Sequence, residues 1–203
     1  MALITSSFLG TATFLYKDSF VEASDTVLAS HTPTGPNPGA GWNSALGTMS
    51  VIGGGNYARD TNSSTGNRFI LNNNLYTDQA DYQVTVTKGG TLTAGDNLLA
   101  GVSARNLTNS SGGAGVIEFI YDFAGSQWNM FGTNFVEAWP GGSVVMKLSI
   151  RGNVITAYGN GVQKIQITNS GQAGSPWAGI IAGNFSANNG KWCQLSSFSV
   201  QTL

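Results

Sequence analysis

Apolar and polar positions alternate along much of this chain. Asp81-Tyr82-Gln83-Val84-Thr85-Val86-Thr87 alternates strictly, with Tyr82, Val84 and Val86 on one face. Ser143 to Arg151 places Val144, Met146, Leu148 and Ile150 on one side, and Val145, Lys147, Ser149 and Arg151 on the other. A period of two is the signature of a strand with one buried face. Arg151-Gly152-Asn153 then turns the chain into Val154–Tyr158, and Gly159-Asn160-Gly161 turns it again into Val162–Ile167. Asn-Gly suits a type I′ hairpin turn, which needs positive φ at both central residues. Residues 143–168 therefore predict a three-stranded meander. Further strands are predicted over Thr11–Tyr16, Thr48–Ile52, Arg68–Leu71, Leu98–Arg105, Val116–Phe123, Gln127–Phe131, Ala178–Ala182 and Trp192–Val200. No window carries a capped 3.6-residue apolar period, so helix is not expected beyond a turn or two. About a dozen short strands predict an all-β, two-sheet antiparallel sandwich of the jelly-roll type.

The loop from Ser30 to Gly41 carries Pro33, Pro36 and Pro38 and is too poor in backbone donors for a strand. It reads as an ordered excursion within one domain spanning residues 11–203. Residues 1–10 form a candidate N-terminal arm, in which Leu3, Ile4, Phe8 and Leu9 are apolar.

Charge changes the picture. Only 9% of the 203 residues are Asp, Glu, Lys or Arg, where about 25% is usual. The surface must draw its polarity from Asn, Ser, Thr, Gln and Gly. The nine basic residues are scattered along the chain, and phosphate binding needs them clustered, so nucleic acid is not an expected partner. The amino-terminal stretch lacks a basic segment and is interrupted by Thr5, Ser6 and Ser7, a poor match to a secretory leader. No run approaches 18 apolar residues, so membrane insertion is not expected. Synthesis in a cytoplasm follows as the expectation, and the Asn-x-Ser/Thr sites at Asn62, Asn106, Asn109 and Asn184 then carry no glycan. Cys193 is the single cysteine; it excludes an intrachain disulfide and reads as a small buried hydrophobe.

Several segments share their order with a known superfamily. Lys17-Asp18-Ser19-Phe20 looks like its "D-x-F" start. Gly41-Trp42 followed by Gly47-Thr48-Met49-Ser50-Val51 looks like "G-W … G-x-W-x-V", with Met49 where Trp is commoner. Asp81–Val86 looks like "Y-x-V-x-V", Gly101–Arg105 like "G-(L/V)-x-x-R", Asn153–Val162 like "I-x-V-Y-x-N-G", and Phe198-Ser199-Val200 like the closing "D-x-F-x-V". Over about residues 17–201 the chain resembles the concanavalin A-like, laminin G-like jelly-roll superfamily, especially versions in bacterial and bacteriophage proteins. That resemblance implies fold, not function. The closing acids that help bind calcium in many relatives are Ser196 and Ser197 here, so the resemblance carries no calcium site over, although Asp18, Asp25 or Asp60 could join backbone carbonyls in one. No cofactor is expected.

Glycosidases on this fold carry paired carboxylates along one strand in an E-x-D-x-(x)-E pattern, and retaining hydrolysis needs carboxyls about 5–5.5 Å apart. The nearest pair here is Glu118 and Asp122, whose Cα atoms stand roughly 13 Å apart on an extended strand. His31 is the lone histidine and reads as a solvated loop residue, so neither a catalytic triad nor a metal site is expected. For ligand binding the candidates are Arg105, Tyr121, Trp128 and Asn129, since sugar rings stack on aromatic faces while Arg and Asn hold hydroxyls. The competing reading buries Tyr121 and Trp128 in the core; Trp42, Trp177 and Trp192 are assigned to packing. The expected function is that of a non-enzymatic bacteriophage virion protein, a capsid decoration or tail-fibre component that self-associates and contacts other virion proteins. The alternative is a bacterial module for cell-surface glycans.

Overall fold

A computed structural model describes residues 13–35, 41–61, 66–72, 79–89, 98–106, 117–175, 177–184 and 192–202. Its strands are β1 Phe14–Asp18, β2 Thr26–Val27, β3 Gly41–Leu46, β4 Met49–Ile52, β5 Tyr57–Asp60, β6 Gly66–Asn72, β7 Gln79–Gly89, β8 Leu98–Asn106, β9 Ile117–Asp122, β10 Gln127–Met130, β11 Thr133–Val136, β12 Ser143–Arg151, β13 Val154–Gly159, β14 Val162–Thr168, β15 Trp177–Asn184 and β16 Trp192–Thr202. The one helical element among the described residues is a 3₁₀ turn at Leu28–Ser30. The candidate arm, residues 1–10, lies outside the described residues, as does the stretch 36–40 of the proline-rich loop.

The strands form two antiparallel sheets. Sheet A runs β14-β13-β12-β7-β16-β5-β4-β2, with β1 also paired to β16. Sheet B runs β11-β10-β9-β8-β15-β6-β3. This is a jelly-roll sandwich, and its core is made of the apolar positions that alternate along each strand. Tyr82, Val84 and Val86 of β7 pack inward beside Val144, Met146, Leu148 and Ile150 of β12, facing Ala100 and Val102 of β8 and Phe119 and Tyr121 of β9. Cys193 is buried there as expected, and burial pushes its thiol up.

The meander forms as predicted. Asn160 (φ 50°) and Gly161 (φ 77°) both take positive φ, as a type I′ turn between paired Gly159 and Val162 requires. Four strands lacked a clear alternation signal: β2, β3, β5 and β11. They are short or polar, and pairing with a neighbour rather than their own pattern makes them strands.

Candidate ligand-binding face

The residues singled out for binding do not form a site. Trp128 and Tyr121 are buried in the core. Their polar handles point at one residue: Trp128 Nε1 donates to Glu137 Oε2 (2.6 Å), and Tyr121 OH donates to the Glu137 carbonyl (2.8 Å). Lys164 Nζ pairs with the same carboxylate at 2.6 Å and lies over the Trp128 ring, 5.5 Å from its centre. Bonding to Lys164 outweighs partial desolvation and holds Glu137 below the usual carboxylate range, with help from Trp128. This knot closes the side of the sandwich where β10 meets β14, and the indole offers no face to a ligand.

Arg105 is also buried. It ends β8 in sheet B, and its guanidinium donates to the Asn169 carbonyl (2.9 Å) and the Gly152 carbonyl (2.6 Å) on loops of sheet A. It is a strut between sheets. Asn129 faces outward from β10 and donates through Nδ2 to Asn134 Oδ1 on β11. The four residues are thus divided among the core, an inter-sheet strut and an edge. Asn106, one of the glycosylation motifs, is buried with its amide bonded to Ser103 Oγ (3.2 Å) and the Trp177 carbonyl (3.3 Å). Trp42 is core, whereas Trp177 is half-buried; the side chain of Trp192 lies outside the described residues.

His31 overturns its expectation. It is 3% exposed rather than solvated. Nδ1 lies 2.7 Å from Glu22 Oε1, and Nε2 lies 3.0 Å from Asp18 Oδ1. Carboxylates only accept, so two of them flanking one ring call for a proton on both nitrogens. Desolvation opposes that charge, but bonds to Asp18 and Glu22 prevail and raise the histidine above its ordinary value. Asp18 also accepts from Trp42 Nε1 (2.8 Å) and the Phe20 amide (2.9 Å). Burial would raise Asp18, yet the donors from His31, Trp42 and Phe20 hold it below its ordinary value. With its oxygens turned to donors, Asp18 anchors the segment that follows β1, from Phe20 to His31, and is not placed as a calcium ligand. Asp25 accepts from the Gly53 amide (2.9 Å) in a turn contact of its own.

Glu118 and Asp122 share the outer face of β9, with Ile120 between them. Asp122 caps the β9–β10 turn: Oδ1 accepts from the amides of Ala124 (3.0 Å) and Gly125 (3.2 Å).

The outer face of sheet A brings together a different set. Strand register aligns Gln163, Tyr158, Lys147, Gln83, Ser199 and Lys17 in one row across β14, β13, β12, β7, β16 and β1. Five strand spacings make this row roughly 24 Å long. The neighbouring row holds Asp81, whose Oδ2 accepts from Lys147 Nζ (3.0 Å) and whose Oδ1 accepts from Ser149 Oγ (2.8 Å) and Arg151 Nη2 (2.9 Å). Partial burial would raise Asp81, but Lys147, Ser149 and Arg151 together lower it. The carboxylate is therefore ionised, saturated with donors and unsuited to taking a proton. Lys147 Nζ lies over the half-buried Tyr158 ring at 4.7 Å. Chemically this is a preorganised strip of donors, amides and hydroxyls with an aromatic ring towards each end, Tyr158 beside Lys147 and the exposed Phe14 under Lys17 (5.7 Å). The alternation along β12 already put Lys147, Ser149 and Arg151 on one side; nothing local linked them to Asp81 or Lys17, which pairing brings in from far along the chain.

No protein-family model and no curated protein sequence matches this chain. Solved structures do match it in fold. A Bacillus licheniformis β-glucanase superposes with a TM-score of 0.57 at 12% identity, covering 89% of this chain and 98% of the glucanase. The exoplasmic/lumenal domain of VIP36, in a form bound to Ca2+ and Man3GlcNAc, gives 0.55 at 10% identity over 81% of this chain and 83% of that one. The carbohydrate-binding module CBM66 from Bacillus subtilis gives 0.51 at 11% identity over 79% and 91%. At these identities the likeness establishes the concanavalin A-like jelly roll and nothing finer.

Proposed function

We propose that this chain is a glycan-binding module without hydrolytic activity. The observation that carries the reading is the Gln163–Tyr158–Lys147–Gln83–Ser199–Lys17 row on sheet A. A sugar chain laid across the strands would meet amides, hydroxyls and ammonium groups for its hydroxyls, and the Tyr158 ring for its apolar C–H face. The saturated Asp81 carboxylate and the turn-capping Asp122 favour binding over chemistry. The names of two structures that share the fold, a carbohydrate-binding module and a domain bound to Man3GlcNAc, support the same class. A glycan array with wild type and Tyr158→Ala tests it. Retention of one glycan class, lost in a variant that keeps its circular dichroism, is expected. No retained glycan would refute the function, and unchanged retention by Tyr158→Ala would refute the face.

A second reading, assembly into a virion, is favoured by one feature. Phe131, Phe135, Val136 and Val162 are exposed on β14, on β11 and at the β10–β11 turn, and Phe135 meets β14 through Lys164. Self-association in sedimentation, abolished by Phe135→Ser with Val136→Thr, together with the chain's presence in purified particles, is its expected result. A monomer absent from particles would exclude it.

A further inference from the structure

The charges of this weakly charged protein are unevenly placed. The whole chain has nine basic and ten acidic residues. On the outer face of sheet A, the described strands place Lys17, Arg59, Lys147 and Arg151, against Asp81 as the one acid. These basic residues are remote in sequence; strand register gathers them. Asp81 pairs with both Lys147 and Arg151, so one carboxylate serves two cations there.

The spacing matters as much as the sign. Lys147 and Lys17 sit at two points of one row, three strand spacings or roughly 14 Å apart. That exceeds the screening length of about 8 Å at physiological salt, so each cation meets its own anion locally rather than adding to a distant field. Between them lie Gln83, half-buried, and Ser199, which is only 7% exposed. Two cations separated by a neutral hydrogen-bonding amide are the complement of a polymer that alternates stretches of hydroxyls with fixed negative charges. A single small anion would use one end only.

Resting on the glycan-binding reading of this face, we propose that its ligand is an acidic polysaccharide, one bearing carboxylate, sulfate or phosphate groups along a sugar backbone. Nucleic acid is the other polyanion to weigh. Single-strand binding relies on successive aromatic platforms under the bases, whereas the rings of this strip, Tyr158 on β13 and the exposed Phe14 beside Lys17 on β1, stand at opposite ends of the row.

The test is affinity electrophoresis with the whole chain, in gels containing polygalacturonate, alginate, dextran or mannan, and solution titration with single-stranded DNA, at low and at high sodium chloride. Acidic polysaccharides are expected to retard the protein, neutral ones to have no effect, and binding to weaken at least tenfold in high salt. Lys17→Gln, at an exposed position, and Lys147→Gln are each expected to weaken retardation several-fold. Lys17→Gln serves if Lys147→Gln fails to fold, because Lys147 also holds Asp81. Retardation by dextran or mannan alone, indifferent to salt, would overturn the acidic assignment and leave glycan binding standing. Retardation by none of the polymers would overturn both. Equal or tighter binding of single-stranded DNA would overturn the polysaccharide assignment in favour of a general polyanion surface.

Discussion

Replacing His31 by Ala should destabilise the protein strongly, and in a pH-dependent manner. The ring is buried and contacts two carboxylates, at 2.7 Å and 3.0 Å. Breaking a buried ion pair by removing one partner costs about 3–5 kcal/mol, because the other charge stays behind. Asp18 keeps its bonds from Trp42 and the Phe20 amide, and Glu22 is partly solvated, which places His31→Ala near the lower limit, about 3 kcal/mol. For a chain of this size each kcal/mol moves the melting point by about 2–4 °C, so a fall of roughly 6–12 °C is expected at neutral pH. The pH profile supplies a sharper criterion. His31 is raised above its ordinary value of 6.5. Its contribution is therefore complete below about pH 6.5 and is lost as pH rises through the higher folded-state value. Asp18 is lowered below 3.8; its contribution is present above about pH 3.8 and disappears as pH falls through the depressed value. Wild-type stability should show a plateau between these limits, with an alkaline decline that His31→Ala lacks. Thermal melts followed by circular dichroism and tryptophan fluorescence across this range read both effects. A variant melting within 2 °C of wild type, or an alkaline decline of equal size in both proteins, would refute the doubly bonded imidazolium.

Three further outcomes follow from the packing. Arg105→Ala leaves the carbonyls of Gly152 and Asn169 without their inter-sheet donor and should cost about 2–4 kcal/mol by urea denaturation, while any glycan affinity measured on the folded fraction stays unchanged. Gly159→Ala would bring a methyl to 2.9 Å from the buried Trp128 ring; a loss of about 1–3 kcal/mol is expected from overpacking, and a neutral result would show that the ring can retreat. The purified protein should release no reducing sugar from β-glucans, and hydrolysis abolished by Glu118→Gln would contradict the reading of β9 as non-catalytic.

The strand pattern was legible where one face is buried and the other wet. Period-two alternation follows from pleat geometry, so β7, β12, β13 and β14 announced themselves and their inward residues. The Asn160-Gly161 turn was legible for a similar reason, since few residue pairs accept its dihedral angles. These are local constraints, and a sequence carries local constraints directly. Which strand lies beside which is not local. His31 read as a solvated loop residue because its partners, Asp18 and Glu22, become neighbours only when the segment between β1 and His31 folds back over the core. Arg105 and Trp128 suggested ligand contacts by residue type; the fold turned one into a strut and buried the other, since an inward position on a β-strand is decided by the opposing sheet. The basic residues looked scattered along the chain, and in sequence they are. Antiparallel register, set by hydrogen bonding between strands remote in sequence, brings Lys17, Lys147 and Arg151 onto one face. Local alternation was enough for the strands with one buried face and for their apolar sides; β2, β3, β5 and β11, and the question of which polar groups meet, depended on tertiary pairing, because side-chain chemistry across a sheet depends on neighbours the chain reaches only by folding.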